Sequence, residues 1–127
     1  MKANELRIGN LVTYENKTHK IFGISEQYPF LDTIEYGAFV VEWYDLKPIT
    51  LTEDWLLKAG FEVVYDSEFT KRLDLIKDNR FDFFINKQNE TLSGIRFKGN
   101  TFFNEVKHVH QLQNFYFALT GEELPVP

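Results

Sequence analysis

The sequence predicts an α+β protein, and three observations support this fold class. Short runs of β-branched and aromatic residues, separated by Asn, Asp, Gly and Ser, predict antiparallel strands over most of the chain. Residues 50–61 (TLTEDWLLKAGF) predict a short helix, and residues 109–121 (VHQLQNFYFALTG) predict a longer one. The 127 residues suit a single domain, with strands in residues 1–48 and a helix, a meander and a second helix in residues 49–127.

The N-terminal region predicts a small, curled antiparallel sheet. Its four short strand-like runs are Leu11 to Tyr14, Thr18 to Ile24, Thr33 to Tyr36 and Ala38 to Trp43. Polar or glycine-containing turns separate the members of each pair, which is typical of hairpins. Strands this short fit either an open sheet or a closed SH3-like barrel, and the sequence leaves both possibilities open.

The middle of the chain predicts a two-turn helix followed by a meander. Thr52 is a good N-cap, and Glu53 and Asp54 place negative charge where the helix dipole favours it. Gly60 then provides the stop. Five strand-like runs follow, at Phe61 to Tyr65, Thr70 to Lys77, Phe81 to Asn86, Leu92 to Lys98 and Thr101 to Val106. One face of that sheet must be covered, and we expect the C-terminal helix to cover it.

The C-terminal helix carries the clearest periodicity in the sequence. At 100° per residue, one arc of roughly 120° holds the five positions expected to face a core, which are Val109, Leu112, Phe115, Tyr116 and Leu119. Gly121 ends the helix because glycine adopts a left-handed conformation without a Cβ clash.

Phe117 departs from this pattern, since it falls on the polar flank of the helix beside His110, Gln113 and Asn114. One interpretation is that the C-terminal tail or the N-terminal sheet covers its ring. The other is that these four residues form an interaction surface for a protein partner or for a second copy of the chain. The absence of charge between residues 111 and 120 favours a helix with a partner on its outer face.

The charge balance weakens any function in which the whole surface grips a phosphate backbone. The chain has 14 basic and 19 acidic residues and a formal net charge of −5. A local alternative remains, in which an outer sheet face binds single-stranded nucleic acid through aromatic and basic side chains. The residues expected to contribute are Tyr65, Arg72, Arg80, Phe84, Arg96, Lys98 and Lys107.

Motifs that carry chemistry are absent from the sequence. There is no cysteine, no glycine-rich phosphate loop, and no serine in a nucleophile-elbow context. On a strand, His108 and His110 would share a face and could ligate one metal ion, whereas on a helix they would point about 200° apart and could not. The pattern favours a helix that begins near His108. We therefore expect no enzymatic activity, no catalytic residue, no metal and no cofactor. The chain also has no apolar run of the length that a signal peptide or membrane span requires, and the absence of cysteine fits a reducing compartment, so we expect a cytoplasmic protein.

Three segments resemble a group of small uncharacterised proteins of Bacteroidetes and of their phages and integrated elements. The segments are ELRIGNLV at residues 5–12, KPITLTEDWLLKAGF at residues 47–61 and VHQLQNFYFALTGEEL at residues 109–124. The resemblance implies a bacterial or phage setting and an accessory role, and it implies no activity or ligand. Together with the missing catalytic motifs, it leads us to expect a non-enzymatic protein-interaction module.

Overall fold

The computed structural model describes residues 1–25, 27–31, 39–88, 91–99, 101–103 and 106–126. It confirms the α+β class. In chain order the elements are β1 (Leu11–Tyr14), β2 (Lys17–Ile24), β3 (Pro29–Leu31), β4 (Phe39–Val40), α1 (Glu53–Lys58), β5 (Phe61–Asp66), β6 (Thr70–Leu75), β7 (Phe81–Asn86), β8 (Thr91–Phe97), β9 (Thr101–Phe103) and α2 (Val109–Thr120). Short 3₁₀ turns also occur at Ala3–Glu5 and Trp43–Asp45.

The chain divides into two compact units, and α2 groups with the N-terminal strands. The first unit comprises Met1–Thr50 and His108–Gly121, and the second comprises Leu51–Lys107 and Glu122–Pro127. The sequence had placed this helix with the meander, in residues 49–127. The difference arises because polar side chains of α2 pair with backbone groups of the N-terminal segment, and hydrophobic periodicity does not report such pairing.

The sheet of the first unit is antiparallel, and its described strands follow the open order β1-β2-β3-β4. Glu15 and Asn16, both with positive φ, form the two-residue turn between β1 and β2. The predicted strand at residues 33–36 lies outside the described residues, and the expected strand at 38–43 is reduced to Phe39–Val40 before a 3₁₀ turn. The core beneath this sheet consists of buried aliphatic side chains, namely Leu6, Val12, Ile21, Leu31, Val41 and Leu46.

Helix α2 begins and ends where the sequence indicated, but its buried face differs from the predicted one. The N–H of Gly121, at φ 74°, donates to the carbonyl of Phe117 at 2.8 Å, as expected for a left-handed C-cap. Val109, Leu112 and Tyr116 are buried as predicted. Leu119 was predicted to face the core and is instead 40% exposed, whereas Gln113 is buried. The buried arc is therefore rotated toward the amide-bearing flank.

The second unit is the predicted meander, with strand order β5-β6-β7-β8-β9 and antiparallel pairing throughout. Helix α1 precedes β5, and the hydroxyl of Thr52 accepts a hydrogen bond from the N–H of Trp55 at 3.4 Å, so the predicted N-cap is confirmed. Gly60 has φ 96° at the turn into β5, which explains the glycine there. One face of the sheet is buried through Phe61, Leu73, Leu75, Phe81, Phe83, Ile85 and Ile95.

Candidate functional site

The predicted interaction surface on α2 is largely occupied by the protein's own N-terminal segment. His110 is 4% exposed and Gln113 only 2%. The Gln113 side-chain oxygen accepts a hydrogen bond from the Leu11 N–H at 2.9 Å, and its amide nitrogen donates to the Gly9 carbonyl at 3.0 Å. Both polar ends of this side chain are thus satisfied inside the first unit, and neither is available to a partner.

Asn114 extends the same network one residue further along the helix. Its side-chain oxygen accepts from the amide of Asn10 at 2.8 Å, and its own amide donates to the Glu5 carbonyl at 3.2 Å. The Asn10 side-chain oxygen in turn accepts from the Arg7 N–H at 2.7 Å. Gln113 and Asn114, which suggested a polar contact surface for a partner, therefore bind residues 5–11 of the same chain.

Phe117 is the most exposed member of the predicted surface, at 37%. The guanidinium of Arg7 lies 4.0 Å from the centre of its ring, within the range of a cation–π contact. Of the two interpretations that the sequence allowed, the structure shows partial cover from within the chain, by the N-terminal segment. Phe117 and its neighbour Ala118 remain exposed on this flank.

His108 and His110 lie closer together than helical geometry predicted. Their rings stack at 5.7 Å between centroids with 11° between their planes. The expectation that they point about 200° apart is wrong, because His108 is the N-cap and has an extended backbone with φ −129° and ψ 154°. The lone pairs of imidazole lie in the ring plane, so two parallel rings do not converge on one ion. Within the described residues, no group of three or more His, Asp or Glu side chains could hold a metal ion.

His110 sits at the wall of a cleft of about 550 Å³ whose lining includes Glu5, Leu46, Pro48, His108 and Gln111. Burial lowers the pKa of His110, and the neighbouring His108 lowers it further while Glu5 acts in the opposite sense. Its Nδ1 atom is buried and has no hydrogen-bond partner among the described residues. Burial and His108 therefore favour the neutral form of the His110 imidazole at the start of α2.

The outer face of the meander, the alternative nucleic-acid surface, carries arginines that are matched by aspartates. Arg96 makes a two-point ion pair with Asp82, at 2.7 Å from Nε and 2.8 Å from Nη2, and its guanidinium also lies 4.4 Å from the ring centre of Phe84. Arg72 lies 3.2 Å from Asp74. Because these carboxylates neutralise the guanidinium groups of Arg72 and Arg96, the positive charge of these two arginines is not available for recognition of a phosphate backbone.

The edge of the meander at β5 is the feature that the sequence analysis did not single out. Among the described strands, β5 pairs with β6 alone, so no described strand covers its other side. Every residue from Glu62 to Asp66 is exposed, including Val63, Val64 and Tyr65. A strand with one buried face should alternate apolar and polar residues, so three consecutive large apolar residues were the available signal. We call the exposed strand Glu62–Asp66 the β5 edge.

A register shift between Val63 and Tyr65 makes Val64 an extra residue in β5. Bulges of this kind often protect an edge strand by twisting it away from potential partners. Here the inserted residue is itself an exposed valine, so the bulge adds apolar surface to the β5 edge.

The turn that follows β5 presents a further aromatic side chain. The hydroxyl of Ser67 accepts hydrogen bonds from the N–H groups of Phe69 and Thr70, at 3.3 and 3.1 Å, and donates to the Thr70 carbonyl. This fixed turn leaves Phe69 55% exposed beside the strand. The apolar surface of the β5 edge thus continues into the hairpin tip.

No family model, no curated protein and no solved structure matches this chain. Neither helix in the described part of the chain is long and apolar enough to cross a membrane.

Proposed function

We propose that this protein is a non-enzymatic interaction module, in a bacterial or phage setting, that binds an extended segment of another protein along the β5 edge. The observation that carries the proposal is the run of exposed residues in a terminal strand, three of them large and apolar. The β5 edge replaces the surface on α2 that the sequence suggested, because His110 and Gln113 are buried there.

An extended peptide can bind at the β5 edge by adding a strand to the sheet. The outer side of a terminal strand presents backbone N–H and C=O groups in a row, and an extended peptide satisfies them by forming the next strand. The side chains of the added strand would at the same time cover Val63, Val64 and Tyr65. Fully burying an apolar side chain of this size contributes about 1.5 to 3 kcal/mol, so a few such contacts support a specific complex.

A segment of another protein fits this edge better than a second copy of the chain does. Antiparallel self-pairing of β5 would bring the acidic residues Glu62 and Asp66 of the two copies together, and like charges across a strand pair are destabilising. Each copy also carries a net charge of −5, which opposes association at low salt.

The test compares partner capture by four proteins, expressed in cells that contain the native partners. They are the wild type, Val64→Lys and Tyr65→Lys in the β5 edge, and Tyr44→Lys, which changes a 77% exposed tyrosine in the other unit. We expect a partner that wild type and Tyr44→Lys retain and both β5 variants lose. In the purified complex, amide hydrogen exchange of Phe61–Asp66 should slow.

Two results would overturn this function. One is capture of the same partners by all four proteins. The other is a wild-type dimer in light scattering that both β5 variants dissociate, because the occupant would then be a second copy.

A further inference from the structure

We infer that the segment bound at the β5 edge is basic, with apolar residues alternating with Lys or Arg along an extended strand. This inference rests on the proposed function of β5 and adds the chemistry of the partner.

The negative charge available near the β5 edge comes from two acidic residues. Glu62 lies near the start of the exposed strand and Glu68 lies in the turn beyond it, and both are exposed. Neither forms an ion pair within the described residues. Glu62 also lies directly opposite Asp74 of β6. Asp74 already pairs with Arg72, so it does not neutralise or add to the charge of Glu62.

The basic residues close to the β5 edge are already engaged. Lys71 donates to the carboxylate of Glu53 at 2.9 Å, and that hydrogen bond raises the pKa of the lysine. Lys87 forms an ion pair with Asp66, which lowers the pKa of that carboxyl group. Both lysines therefore pair with carboxylates of the protein itself, and the charge that remains near the β5 edge is negative.

An alternating segment matches this surface in both respects. Side chains of a strand point alternately to the two faces of the sheet. Apolar residues of the segment can therefore cover Val63 on the face that it shares with Leu73, while long basic side chains on the opposite face reach the carboxylate of Glu62 and, beyond the strand, that of Glu68. The bulge at Val64 places Tyr65 on this second face, where the aliphatic stems of the basic side chains can pack against its ring. Charge complementarity of this kind raises the association rate and selects among extended segments that would all satisfy the backbone.

Four synthetic eight-residue peptides with blocked ends test the inference on the full chain. They alternate Val with Lys, Val with Glu, Val with Ser, and Ser with Lys. We expect the Val–Lys peptide to bind and to slow amide exchange in Phe61–Asp66, the Val–Ser peptide to do so more weakly, and the Val–Glu peptide to do neither. The Ser–Lys peptide has the same charge without apolar side chains, so it should leave the exchange of β5 unchanged.

Substitution of single acidic residues tests which carboxylates bind the lysines of the peptide. Glu62→Gln and Glu68→Gln should each weaken binding of the Val–Lys peptide by roughly two- to fivefold, as loss of an exposed ion pair does, and 0.3 M salt should weaken it in wild type. Glu15→Gln, an exposed acid in the other unit, is the matched control and should bind as wild type does.

The peptide results distinguish strand addition at β5 from the basic character of the bound segment. If the Val–Ser and Val–Lys peptides protect β5 equally, strand addition stands and the basic partner is refuted. If no peptide slows exchange in β5, both the basic partner and the use of this edge are refuted.

Discussion

The side-chain oxygen of Gln113 accepts a hydrogen bond from the backbone N–H of Leu11 at 2.9 Å, and 102 residues separate the two in sequence. The same side chain donates to the carbonyl of Gly9. One amide therefore satisfies two backbone groups that lie on either side of Asn10, and it does so in the interior of the first unit. The polar flank of α2 is the means by which the helix recognises the N-terminal segment.

Replacing Gln113 by Leu should lower the free energy of unfolding by about 2 to 4 kcal/mol. The substitution leaves the buried N–H of Leu11 without a partner, at about 1 to 3 kcal/mol, and also removes the partner of the half-buried Gly9 carbonyl, at a smaller cost. Urea denaturation followed by circular dichroism measures the change. Gln88→Leu is the control, since Gln88 is exposed, and it should change stability by less than about 0.5 kcal/mol. Equal stability of the two variants would contradict the role assigned to Gln113.

Stability should fall as the pH is lowered through the range below about 6.5, the ordinary pKa of histidine. Burial and the adjacent His108 lower the pKa of His110 in the folded protein, while Glu5 opposes them. Below the pKa of the unfolded state, the unfolded chain binds a proton at His110 more readily than the folded chain does. The stability that His110 contributes is therefore fully present above the pKa of the unfolded state and is lost as the pH decreases toward the pKa of the folded state. Urea midpoints measured between pH 8 and pH 5.5 should show this slope.

His110→Leu should flatten the slope, because the variant has no imidazole at this position to protonate. Proton NMR of His110 in wild type gives an independent check, since its titration midpoint should lie below the ordinary pKa of histidine, about 6.5. A midpoint at or above that value would show that burial and His108 do not control the protonation of His110.

Arg96→Ala should destabilise the protein by about 2 to 4 kcal/mol, because it leaves the carboxylate of Asp82 without its partner in a site that is 8% exposed. Arg80→Ala removes a similar arginine from Asp78, but that arginine side chain is 46% exposed, so the cost should stay below about 1 kcal/mol. Thermal denaturation of both variants measures the contrast. If Arg80→Ala proved the more damaging change, burial would not be the deciding factor.

Phe117→Asp should leave the oligomeric state unchanged in light scattering and should lower stability modestly. The ring loses its contact with the Arg7 guanidinium, which contributes about 0.5 to 1 kcal/mol at an exposed site. Phe117→Leu keeps an apolar side chain but has no ring for the Arg7 guanidinium to contact. Comparing the two variants therefore separates the loss of apolar packing from the loss of the cation–π contact. A wild-type dimer that only Phe117→Asp dissociates would return the interaction surface to α2.

Local signals were sufficient for much of the fold. The N-cap at Thr52 and the helix end at Gly121 depend on residues within one turn, and alternation along β7 reports its buried face directly. The rotation of α2 was not predictable in this way, because hydrophobic periodicity treats Gln113 as a surface residue. Only its distant partners, the backbone groups of Gly9 and Leu11, justify its burial.

The candidate site was missed for a related reason. Whether a strand lies at the edge of a sheet depends on the order of the strands, and this order cannot be predicted from the residues of β5 alone. Val63 lies opposite the buried Leu73 and is nevertheless exposed, so a local pattern could not separate it from a core residue. The run from Val63 to Tyr65 could have been noticed, but it was compatible with a strand buried on both faces.

The division of the first unit between Met1–Thr50 and His108–Gly121 sets an order of events during synthesis. At about 5 to 20 residues per second, Gln113 leaves the ribosome roughly 5 to 20 s after Leu11. Until then, the N–H of Leu11 and the carbonyl of Gly9 lack the side chain that pairs with them in the folded protein. The meander consists of hairpins between neighbouring strands and can pair as it emerges. The first unit therefore cannot be completed until α2 has been made, although most of its residues are made first.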